Sequence, residues 1–169
     1  MSITLKMVDG DLYVDSAGRY LAIEGIEKCA QDLAETLLNN RDPEFPPWFP
    51  GSELYRLTNG DYVKLFSHIT PMELIHTFVE DAVYRLMELQ DIDPEVDDDE
   101  AIVDILLLEV RPFGNLTWVF WLVVQVDTEE PVKMGFSVDL RQQLPSAIRG
   151  DVPDTFGPNT PDAWAKTFM

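Results

Sequence analysis

The chain has 169 residues, enough for one domain with a real core, and its hydrophobic (46%) and charged (25%) shares are those of a globular protein. Its charge is unusual: 31 acidic residues oppose 12 basic ones, a net −19, which repels nucleic acid and anionic membrane surfaces and favours partners with basic faces. A single cysteine, Cys29, excludes an internal disulfide, and no stretch approaches the ~18 apolar residues of a membrane span.

The N-terminus, MSITLKMVDGD, lacks the apolar run of a signal peptide, so synthesis in the cytoplasm is expected. Residues 1–24 predict a short hairpin. Leu12–Val14 form one arm, Tyr20–Glu24 the other, and Asp15-Ser16-Ala17-Gly18 supplies the turn. A helix is predicted from Gly25, because Ile26, Cys29, Ala30, Leu33 and Leu37 make one apolar stripe. Asn39-Asn40 is its expected end. Residues 41–61 change character, and Arg41–Gly51 cannot be helical, since Pro43, Pro46, Pro47 and Pro50 remove donors and fix φ. Their aromatics, Phe45, Trp48, Phe49 and Tyr55, predict a packed loop.

Thr70-Pro71-Met72-Glu73 is a helix start with an N-cap, a first-turn proline and a capping-box glutamate. Ile75, Phe78, Val79, Ala82, Leu86 and Leu89 then share a face, and the helix is expected to end near Gln90. Asp91–Glu100 holds seven acids in ten residues and is expected to be a solvated loop or a face for a basic partner. Three strand-like runs follow: 101–111, 116–127 and 132–140. The turn Pro112-Phe113-Gly114-Asn115 divides the first two, and an antiparallel meander is predicted. The middle run is apolar on both faces, with Leu116, Trp118, Phe120, Leu122 and Val124 on one and Val119, Trp121 and Val123 on the other. Such a strand is normally covered on both sides. The two helices can cover one face, and the hairpin or another chain the other. The segment 141–169 is charge-neutral, has four prolines and few aliphatics, and is expected to be an extended arm that orders on a partner. Phe156, Trp164 and Phe168 are its candidate anchors. The expected fold class is therefore α+β, with a domain over 1–140 and an arm over 141–169.

Residues suited to chemistry do not assemble into a motif. Cys29 lies on the apolar stripe of the first helix and reads as a core cysteine. His68 and His76 fall short of the three or four ligands of a zinc site. Asp91-Ile92-Asp93-Pro94-Glu95-Val96 starts like a calcium loop, but Val96 stands where the turn requires glycine and Ile102 where a bidentate glutamate belongs. There is no phosphate-binding glycine pattern and no GxSxG. No catalytic residue, metal or cofactor is expected.

Gly10-Asp11-Leu12-Tyr13-Val14, Tyr20–Gly25, Ile26–Leu33, Asp42-Pro43-Glu44-Phe45 and Pro50-Gly51-Ser52-Glu53-Leu54 occur in the order hairpin, helix, loop, helix, meander. This order and spacing resemble the baseplate-wedge, "lysozyme-like" family of contractile phage tails, the sheath initiators, over roughly residues 8–140. The family usually carries Glu-Pro-Arg between the second helix and the meander. Here Glu88-Leu89-Gln90 stands there, and only the glutamate remains.

The resemblance implies a virion structural protein at the top of the baseplate, in six copies around the tail tube, that nucleates sheath polymerisation by edge-strand and arm exchange. Its implied partners are the sheath protein, the baseplate wedge proteins and the tube, with neither nucleic acid nor membrane involved. The sheath-binding residues so implied are Lys133, Gly135, Ser137, Asp139, Leu140, Phe156, Trp164 and Phe168, and the wedge-binding residues are Pro43, Phe45, Trp48 and Glu88. The same role in a type VI secretion baseplate or a tailocin fits the residues equally. An acidic muramidase is the enzymatic rival. It requires a protonated acid in an apolar pocket beside an ionised one, and the sequence singles out no such pair.

Overall fold

A computed structural model of the chain describes residues 4–8, 11–41, 51–58, 69–114, 116–127, 130–140 and 146–148. The fold class is α+β, as the pattern predicts. Four short strands come first: β1 (Thr4–Leu5), β2 (Met7–Val8), β3 (Asp11–Leu12) and β4 (Ala22–Ile23). Then follow α1 (Gly25–Leu38), a single turn α2 (Tyr55–Thr58) and α3 (Pro71–Ile92). The main sheet is built from β5 (Ile102–Pro112), β6 (Thr117–Val126), β7 (Val132–Asp139) and β8 (Ser146–Ile148), antiparallel and in the order β5-β6-β7-β8.

The alternation in β6 sets the layers. Phe120, Leu122 and Val124 are fully buried and join Leu33, Leu37, Ile75, Val79 and Val83 of the helices in one core. Register stacks this face: Phe120 pairs with Val110 on β5 and Phe136 on β7, and Leu122 pairs with Leu108 and Met134. The Phe120 and Phe136 rings stack with centroids 5.0 Å apart. Each such side chain contributes roughly 1.5–3 kcal/mol on burial. The opposite set, Val119, Trp121 and Val123, is also buried, flanked on β5 by the Glu109–Arg111 ion pair.

Both long helices begin and end close to where the sequence places them. The Thr70 side chain accepts from the Glu73 N–H while Glu73 accepts from the Thr70 N–H, completing the capping box. The Thr70 backbone N–H, and after it the Thr70 hydroxyl donating to Glu73 Oε2 at 2.8 Å, hold the Glu73 carboxyl below its ordinary range. The helix runs to Ile92, one half-turn past the expected Gln90.

The hairpin is present but differs in detail. Its turn lies at Asp15–Gly18, with Asp15 Oδ1 accepting the Ala17 and Arg19 N–H groups and Gly18 at φ +76°. Val14 bridges Tyr20, while β1 pairs with β4 and β2 with β3. The ribbon is anchored on α1: Gln31 accepts the Met7 N–H at 2.8 Å and donates to the Leu5 carbonyl at 3.0 Å.

Past residue 50 the chain returns to the end of α1. Ser52 exchanges backbone bonds with Asn39 and Arg41 and donates its hydroxyl to the Leu37 carbonyl, a C-terminal orphan of α1. Gly51 permits this approach, since a Cβ there would lie 3.0 Å from Asn40 O and Arg41 N. The 42–50 loop itself falls outside the described residues.

Candidate functional site

The sheet has two edges, and the structure corrects which one is open. The outer side of β7, expected to be the free edge, is occupied at Gly135–Ser137 by β8 of the same chain. The arm assigned to 141–169 therefore begins by adding a strand to the sheet, and the sheet extends past the expected boundary at residue 140. Of the predicted sheath-facing residues, Lys133 is exposed, Gly135 is buried, Ser137 and Asp139 are half-buried, and Leu140 packs against the core. Phe156, Trp164 and Phe168 lie outside the described residues, as do Pro43, Phe45 and Trp48 of the predicted wedge set. Glu88 is exposed on α3.

The other edge is β5, with 11 residues. No strand covers its outer side among the described residues. Its pairing with β6 skips Val103 and Leu106 at two irregularities, and these residues are 46% and 50% exposed. Each interruption places an apolar side chain outward while Ile102, Ile105 and Leu108 stay on the core face. The sequence shows only a near-continuous run, Ile102–Leu108. A bulge has no composition signal, so periodicity could not have found these two residues.

The acidic loop holds the largest surprise. Glu100 is fully buried beneath the start of α1. Its Oε1 accepts the Gly25 N–H at 3.3 Å, and Lys28 Nζ lies 3.2 Å from Oε2 without good hydrogen-bond alignment. Lys28 also donates to Asp32 at 2.7 Å. Desolvation works against the Lys28 charge, but Asp32 and Glu100 outweigh it and its pKa rises above the ordinary value. Gly25 sits at φ +62°, where a Cβ would meet Asp99 Oδ2 at 3.0 Å, so this helix start requires glycine. Glu24, the N-cap, makes no side-chain capping bond. Glu100, 75 residues downstream of Gly25, serves the N-terminus instead. Gln90 closes the arrangement by donating to the Glu100 carbonyl and accepting the Ile102 N–H, both at 3.0 Å.

Asp97, Asp99 and Glu100 each bring a carboxylate oxygen within 4.8 Å of the others, the spacing of residues that could hold a cation. The Lys28 ammonium and the Gly25 amide already face the buried member, Glu100. The Cys29 thiol is pushed up to about 12, chiefly by burial, and is inert at neutral pH. His76 is half-buried, and His68 lies outside the described residues.

A cleft of about 180 Å³ opens between α1 and the end of α3, with Asp32, Glu35 and Asp93 on its wall. Burial, and secondarily the Asp32 charge, raises the Glu35 pKa above 4.5. This is the acid pair the sequence did not reveal. The signal was there as Lys28, Asp32 and Glu35 at i, i+4 and i+7 beside the apolar stripe, but only the placement of α3 shows that this row faces a neighbour. The cleft is smaller than the ~300–1,000 Å³ of ligand-binding pockets. Asp32 is also engaged by Lys28.

No helix among the described residues is long and apolar enough to cross a membrane. Comparison with family models, curated proteins and solved structures found no match.

Proposed function

We propose that this chain is a non-catalytic assembly protein, a sheath initiator of a contractile tail baseplate, on which the first sheath ring polymerises around the tail tube. One observation carries the reading: β5 is an 11-residue edge strand with Val103 and Leu106 turned outward. Edge backbone groups bind an incoming strand through main-chain hydrogen bonds, and outward apolar side chains set its register. The β7–β8 pairing supports the same reading from the other edge. A three-residue strand donated by the tail is short enough to be exchanged between neighbours in a ring. Implied partners are the sheath protein, the wedge proteins and the tube, in six copies by the family resemblance, within the virion. A type VI secretion baseplate or a tailocin would use the chain in the same way.

Electron microscopy of particles assembled without this protein tests the reading. Baseplates and tubes lacking polymerised sheath are expected, and a Leu106→Lys chain should fail to restore the sheath. Normal sheathed tails in its absence would overturn the proposal.

A further inference from the structure

We draw no further inference here: the strongest candidate, the apolar surface that Leu12, Tyr13, Val14, Tyr20 and Leu21 expose on the N-terminal ribbon, carries nothing because nothing in the structure shows what covers it.

Discussion

Replacing Lys28 by methionine should destabilise the fold far more than an exposed lysine would. Lys28 is 7% exposed and Glu100 is fully buried. Methionine fills most of the space of the lysine stem but leaves the Glu100 carboxylate with one amide partner at 3.3 Å. Stranding one member of a buried ion pair costs about 3–5 kcal/mol. Lys28 borders an open cleft that admits water, so the lower end, about 3 kcal/mol, is expected here. That is a large part of the ~5–15 kcal/mol available to a domain. Glu100→Gln keeps an acceptor for the Gly25 N–H and removes the charge, at a cost of about 1 kcal/mol. The double variant should then lie within about 1 kcal/mol of the parent, because no buried charge is left unpaired. Urea unfolding followed by far-UV circular dichroism gives all four corners of the cycle. A Lys28→Met loss below about 1 kcal/mol, or a double variant equal to the sum of the singles, would refute the claim that this pair ties the acidic loop to α1.

Three further outcomes follow from the geometry. Glu35 has a folded pKa above its unfolded value of 4.5, so the fold favours its protonated form. Its contribution is fully present below pH 4.5 and is lost as pH rises through the raised value, so Glu35→Gln should melt higher than the parent at pH 7. That gap should close as pH falls below 4.5, as melting curves of both chains across pH would show. Thr70→Ala removes the α3 cap and should cost about 1 kcal/mol in the same urea assay. Phe120→Ala opens a void at the centre of the sheet and should cost about 3–5 kcal/mol, with a lower midpoint and an unchanged slope.

The sequence by itself determined the elements and the core. Thr70-Pro71-Met72-Glu73 specifies a helix start through bonds made within four residues, and that start is where the structure has it. Ile26, Cys29, Leu33 and Leu37 bury one side of α1 because a 3.6-residue period brings them to one face. Phe120 and Trp121 fall on opposite faces of β6 because the strand period is two. These signals are local, and local spacing carries them.

Tertiary structure decided everything that depends on a distant partner. Glu100 reads as one more acid in an acidic run, and only the arrival of Gly25 and Lys28 above it makes it a buried helix-terminal ligand. Glu35 reads as a solvated helix residue until α3 closes one side of it. Among the described residues the uncovered edge is β5, while β7 is paired at Gly135–Ser137 because Ser146–Ile148 returns to it. Strand order depends on which backbone finds which, and hydrogen-bonding groups common to every residue leave no trace of that choice in the side chains.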